Sequence, residues 1–265
     1  SRPIEDIAAE AKELEALGVK ELVIVAQDTT RYGLDIYGEY SLARLIKALT
    51  AETKIPWFRL LYYYPDKITD ELITEIRENP RVLKYIDLPI QHISDRMLKA
   101  MNRHGDGALV RDTVKRLREG VPGIVLRTTA IVGFPGETGE DYNELCEYIK
   151  EAEFDRFGAF TYSPEEGTPA AKMDDPVPRS EKQVWFDRLC DTQNEISARL
   201  HAAYVGRTVR VLVDGTTDDS RWPLSARTNG GRLVHLAGDP SVIGTYQNVT
   251  VTDSNTWALF GELST

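Results

Sequence analysis

Apolar residues along the first two-thirds of the chain alternate between two patterns, stripes spaced about 3.6 residues apart and short continuous runs. Ile4, Ile7, Ala8, Ala11 and Leu14 make one stripe, so Ser1 to Leu17 is predicted helical, with Pro3 in its first turn and Gly18 ending it. The run ELVIVAQ (21–27) is continuous, as a strand buried on both faces should be. Leu42, Leu45, Ile46 and Leu49 share one face of a helix over 41–49. WFRLLYYY (57–64) reads as a strand, TDELITEIREN (69–79) as a helix stopped by Pro80, and VLKYIDLPIQ (82–91) as containing a strand. A helix over 109–120 and a strand over 123–133 follow. Thr138 and Asp141 then have the spacing of a capping box, and FDRFGAFTYS (154–163) closes the series.

Five strands separated by helices predict a parallel sheet with right-handed crossovers. That is short of the eight units of a closed α/β barrel. The series opens on a helix, so an earlier strand is expected upstream. Residues 164–180 are rich in Pro and charge and read as a linking loop. Ser180 and Gln183 resemble a second capping box, opening a long helix with Trp185, Leu189, Ile196 and Leu200 on one face. Beyond about Tyr204 the period becomes two, with Gly, Asp and Asn turns, predicting a small all-β barrel or sandwich. The expected division is 1–200 and 201–265.

Composition narrows the possibilities. The 265 residues are 42% hydrophobic and 28% charged, ordinary for a globular chain. No apolar run approaches the roughly 18 residues of a membrane helix. The opening SRPIEDI is charged and amphipathic rather than a leader, so no membrane partner and a cytoplasmic location are expected. The formal charge of −10 speaks against a nucleic-acid footprint across the whole chain. Two cysteines, Cys146 and Cys190, make no disulfide framework and read as small buried hydrophobes. His92, His104, His201 and His235 are dispersed and make no metal spacing.

Ligands of parallel α/β sheets bind beyond the carboxyl ends of the strands. Those ends read Gln27-Asp28-Thr29-Thr30, Tyr62-Tyr63-Tyr64-Pro65, Pro89-Ile90-Gln91-His92, Gly133-Phe134-Pro135-Gly136-Glu137 and Thr161-Tyr162-Ser163. Polar, aromatic and glycine residues of this kind suit a planar or zwitterionic ligand, and Arg127 has the fork to clamp a carboxylate. An aldolase-like barrel would need a Lys or a carboxylate pair at a strand end, and no Lys stands there.

Several segments together resemble the methylthiotransferase family of radical S-adenosylmethionine enzymes: SRPIEDI, GVKELVIVAQDTTRYGLDIY (18–37), LPIQHISDRMLKAMNR (88–103), LRTTAIVGFPGETGEDY (126–142) and FDRFGAFTYSPEEGTPA (154–170). VGRTVRVLVDG through WALFGEL resembles the TRAM domain that ends those proteins. AQDTTRYGLD, YYYPDKITDEL and FGAFTYSPEEGT resemble the RimO branch rather than the tRNA-modifying MiaB branch. The resemblance implies an α/β fold, a partial, open TIM-like barrel of the radical SAM type, followed by a small all-β TRAM barrel. It implies methylthiolation of the β-carbon of an aspartate in small-subunit ribosomal protein twelve, a basic substrate engaged through the TRAM domain, with an external electron donor. From His201 to Thr265 there are five Arg, no Lys and six Asp plus Glu, about −1, which fits a protein partner better than tRNA. A MiaB-like tRNA enzyme and a cluster-less ribosome-binding homologue remain the alternatives.

S-adenosylmethionine is the expected cofactor, held by Gln27, Asp28, Gln91, Arg127, Gly133 and Glu137. Two 4Fe-4S clusters are implied for the intact enzyme. The Cys-x-x-x-Cys-x-x-Cys loop of the family is absent from residues 1–265, and thiolates hold such clusters. The expectation is therefore a fragment lacking the N-terminal domain and the cysteine triplet, binding no cluster and inactive by itself.

Overall fold

The computed structural model describes residues 1–264. Helix α1 (Ile4–Ala16) leads into strand β1 (Glu21–Ile24), then a short helix α2 (Leu34–Tyr37), α3 (Leu42–Glu52), β2 (Trp57–Leu60), α4 (Asp70–Glu78) and β3 (Tyr85–Asp87). Next come α5 (Asp95–Ala100), α6 (Gly107–Gly120), β4 (Val125–Val132), α7 (Gly139–Ala152) and β5 (Arg156–Thr161). All strand pairings here are parallel, β1 with β2 and β3 with β4 and β5. A bridge from Phe58 to Val82 and the bond from Tyr63 N to the Asp87 carbonyl join the two parts into one five-strand arc.

Alternation along each strand separates its two faces. Leu60, Ile86, Leu126 and Ala130 point outward into the core shared with the helices. Each helix contributes one apolar stripe, such as Leu42, Leu45, Ile46 and Leu49 of α3. α7 opens with the expected capping box, Thr138 receiving the Asp141 amide and Asp141 receiving that of Thr138.

α8 (Arg179–Ala202) crosses to five further strands, β6 (Thr208–Thr216), β7 (Leu224–Thr228), β8 (Leu233–Ala237), β9 (Tyr246–Ser254) and β10 (Ala258–Leu263). They close into a barrel in the order β10-β8-β7-β6-β9. Its core is Val211, Val213, Leu224, Ala226, Val234, Leu236, Val249, Val251 and Leu259. This barrel packs on the amino ends of the first sheet: Trp57, Leu83, Tyr85 and Val125 meet Leu212 and Tyr246, with Trp57 edge-on to Tyr246 at 4.7 Å.

Three expectations change. β1 is not buried on both faces: Val23 is 40% exposed, and Val25 just beyond the strand 57%, because among the described residues β1 pairs with β2 alone and its inner face lies open. Ser180 and Gln183 make no capping box. α8 begins after Pro178, and Gln183 Nε2 donates instead to Asp187 at 2.8 Å, one turn on. Both cysteines are free and only half-buried. Desolvation still pushes both thiols above the usual range, which suits side chains packed for volume rather than reactivity.

Candidate functional site

Beyond the carboxyl ends of the strands lies a cavity of about 330 Å³. Gln27, Gln91 and Arg127 all line it, with Asp87, Arg103, Thr129, Phe160 and the Tyr62–Tyr64 run. Two of its wall residues hold strained backbone, Tyr62 at φ 60° and Gln91 at φ 66°. Non-glycine residues in this region collect at functional sites, where the surrounding structure holds them. Gln91 is clamped by its own backbone, its N–H donating to the Thr129 carbonyl at 2.8 Å and its carbonyl accepting from Ile131 N at 2.9 Å. Its Oε1 is buried without a hydrogen-bond partner, as is the Tyr63 hydroxyl. Such orphaned polar atoms beside a cavity suit a ligand with donors.

The lowest layer of the cavity is the pair Asp87 and Arg127, neighbours in register on β3 and β4 with Nε to Oδ1 at 3.7 Å. Burial pushes the Asp87 carboxyl upward, and Arg127 opposes that shift. Arg103 lies over the Tyr64 ring at 4.2 Å and donates to the Pro89 carbonyl at 2.8 Å. The loop RHGDG therefore does two things. Its arginine walls the cavity, and its Asp106 caps α6 by accepting from Leu109 N.

The other named residues lie elsewhere. Asp28 faces a separate cleft of about 590 Å³ beside β1. Its carboxylate accepts from Thr30 N at 3.0 Å and pairs with Arg31 Nε at 2.8 Å. Glu137 is fully buried behind the cavity wall. One of its oxygens receives Gly133 N at 2.5 Å and Phe134 N at 3.1 Å, and the other meets His92 Nε2 at 3.1 Å. Ser94 N donates to His92 Nδ1 at 3.1 Å, so Nε2 carries the imidazole proton and donates it to Glu137. Gly133 has φ 72°, and a Cβ there would fall within the side chain of Lys182, closer than real contacts allow. Lys182 thus reaches the strand ends from α8. Its Nζ pairs with Asp175 at 2.5 Å and lies over the Tyr162 ring at 5.2 Å, so it is not a free amine.

Asp141 ties the same loops together. Burial works against its charge. Hydrogen bonds from Ser94 and Thr138 and the Arg96 guanidinium outweigh that and hold its carboxyl well below the usual range. A depressed carboxyl adds stability above the unfolded value of about 3.9, lost as pH falls through the folded one. Asp141→Asn is expected to cost about 1–2 kcal/mol at neutral pH and to flatten the acid limb of stability. Urea unfolding followed from pH 7 down to about pH 3 checks this; parallel profiles for variant and parent would refute it.

Asp87, Arg103, Thr129 and Phe160 escaped the sequence reading. Thr129 and Phe160 had a signal, since they share the inward face of their strands with Arg127 and Gly158. Asp87 sits inside a strand run, and Arg103 is brought in by α5, whose six residues carry too short a period to read.

Residues 1–149 match the radical SAM superfamily, and residues 202–264 match the TRAM domain. The chain is 43% identical over its whole length to the ribosomal protein uS12 methylthiotransferase RimO of Desulforamulus reducens, covering 61% of that protein. It is 44% identical to the RimO of Geobacter sulfurreducens over 99% of this chain and 60% of that one. The chain thus spans about three-fifths of these curated relatives. Among solved structures it is similar to coproporphyrinogen III oxidase from Escherichia coli, a radical SAM enzyme. The TM-score is 0.56 at 16% identity, over 76% of this chain and 48% of that one. The radical SAM methyltransferase TsrM from Kitasatospora setae gives 0.52 at 19%, over 64% and 33%. At these identities the structural likeness speaks for the fold alone.

Proposed function

The chain belongs to the radical SAM superfamily, and we propose that it is the core and TRAM portion of a methylthiotransferase acting on the β-carbon of an aspartate in ribosomal protein uS12. The observation that carries this reading is the strand-end cavity, which gathers Gln27, Gln91 and Arg127 with two unpartnered buried polar atoms beside them. Support comes from the relatives named uS12 methylthiotransferase, which match across nearly the whole chain.

The residues present fit S-adenosylmethionine. When bound, it supplies radical chemistry at an unactivated carbon. Gln27 and Gln91 would offer amides to its polar groups, Arg127 a guanidinium to a carboxylate, and the Tyr62–Tyr64 run and Phe160 the aromatic walls. Asp28, Gly133 and Glu137 act on this reading through the loops they shape. The residues do not fit an iron-sulfur cluster. Cys146 and Cys190 lie on α7 and α8, and among the described residues no group of three His, Cys, Asp or Glu is arranged for a metal ion. No step through a cluster is derived from them, and residues 1–265 alone are proposed not to turn over.

The TRAM barrel packs at the amino ends of the strands, below the layer of Asp87 and Arg127 that lines the cavity. An external electron donor and a cytoplasmic setting belong to the same proposal. Among the described residues no helix is long and apolar enough to cross a membrane.

The test uses the intact protein that carries this chain, reconstituted anaerobically and offered uS12 and tRNA in parallel with reductant. Mass spectrometry should show a methylthio group replacing hydrogen on one uS12 aspartate. Modified tRNA with unmodified uS12 would overturn the reading.

A further inference from the structure

The inner face of the five-strand arc does not close on itself. Alternation turns Trp57 and Arg59 of β2, Tyr85 and Asp87 of β3, Val125 and Arg127 of β4, and Arg156 of β5 toward the inside. A full α/β barrel fills that space with layers from its own eight strands. Here the space at the amino ends is filled by the other domain. The turn between β7 and β8, Asn229-Gly230-Gly231-Arg232, enters from below. A Cβ on Gly230 would sit 2.5 Å from Val125 Cγ2. Gly231, at φ 72°, lies so close that its Cβ would be 3.3 Å from Arg156 Nη1, 3.4 Å from Arg59 Nη1 and 3.7 Å from the Tyr85 ring. Two glycines in a row let the backbone approach this far.

We propose that this hairpin tip is the floor of the strand-end cavity and a positioning device for Arg127: the Gly231 carbonyl orients Arg156, and Arg156, Arg59 and Tyr85 form the layer on which the Asp87–Arg127 pair rests. Arg156 Nη1 donates to that carbonyl. Arg59 lies over the Tyr85 ring at 4.7 Å, and its Nε donates to Glu21 at 2.5 Å. The Tyr85 phenol stands beside Arg127, which lines the cavity. The tip is held by Arg232 Nη2 to Asp155 at 2.7 Å, and elsewhere on the barrel the Tyr246 hydroxyl of β9 donates to the Lys20 carbonyl at 2.6 Å.

Charge explains why the carbonyl matters. Arg156 faces the like charges of Arg127, Arg232 and Arg59. Both amino groups of Arg59 are buried without a hydrogen-bond partner. A layer so rich in cations needs acceptors, and the hairpin supplies one from outside the sheet. Withdrawing it leaves Arg156 against Arg127, which then loses its fixed place beside Asp87. A partner that grips the TRAM barrel therefore touches a piece of the cavity.

The test needs no ligand, so it stands or falls separately from the proposed function. The chain is labelled with ¹⁵N-arginine, and the Arg127 Nε–Hε resonance is assigned through Arg127→Lys. In Arg156→Met and Gly231→Ala that resonance should move and exchange about tenfold faster, while that of Arg221, exposed on the TRAM barrel, stays put. Arg156→Lys, which keeps a donor for the Gly231 carbonyl, should restore most of the protection. Should Gly231→Ala fail to fold, the two Arg156 variants decide. An unchanged Arg127 signal in folded Arg156→Met would overturn the proposal.

Discussion

Glu137→Ala is expected to lower stability by about 3–5 kcal/mol, because three buried donors lose their acceptor at about 1–3 kcal/mol each. The pair is enclosed on every side, with Glu137 and His92 both at 0% side-chain exposure. Removing the carboxylate strands three donors at once: His92 Nε2–H, Gly133 N and Phe134 N. Glu137→Gln separates charge from shape. If its amide oxygen takes the two backbone N–H groups, its NH₂ faces the Nε2–H of His92, donor against donor. If it turns round, the NH₂ faces the backbone donors instead. Ser94 N occupies His92 Nδ1, so the imidazole cannot move its proton to relieve either clash. Glu137→Gln is therefore expected to cost about 1–3 kcal/mol despite its matched size. Urea unfolding at neutral pH measures both, and hydrogen exchange at Gly133 and Phe134 reports whether the loop opens locally. Parent-like stability in Glu137→Gln would show that the imidazole adapts and that tautomer is not what holds the two loops together.

That loop shows where sequence pattern stops carrying information. GFPGET at a strand end marks a special turn, and the capping box at Thr138 and Asp141 was legible because it is a local rule of three residues. Which way Glu137 points is not local. It is settled by His92, 45 residues earlier, and by Lys182 from α8, which fills the space beside Gly133. Gln27, Gln91 and Arg127 do meet in one cavity because strand order and direction place the carboxyl ends together. The element pattern was legible for the same reason that β1 was misjudged. Periodicity reports apolar character, and Val23 and Val25 are apolar whether or not a neighbour covers them. The docking of the second domain left no periodic signal. Its trace is a Gly-Gly pair that also reads as an ordinary hairpin turn.

Arg127→Met is the substitution that tests the cavity floor through pH. Asp87 is 2% exposed, and burial already raises its carboxyl while Arg127 opposes that rise. A carboxyl whose folded value is raised contributes stability below the ordinary carboxylate range and loses it as pH climbs through the folded value. Without the guanidinium the folded value climbs further, so the loss extends to neutral pH. The variant is expected to match the parent near pH 4 and to be weaker by about 2 kcal/mol at pH 7. That figure lies below the range for fully enclosed pairs, because the Arg127 side chain is 45% exposed and water screens part of the pairing. Asp87→Asn combined with Arg127→Met removes the titrating group and should remove the pH dependence with it. Thermal unfolding of the parent, the single and the double variant across that range separates the contributions. A deficit of equal size at both pH values would mean that Arg127 serves by packing its stem against Tyr85, and that the charge of Asp87 is balanced by something other than its neighbour on β4.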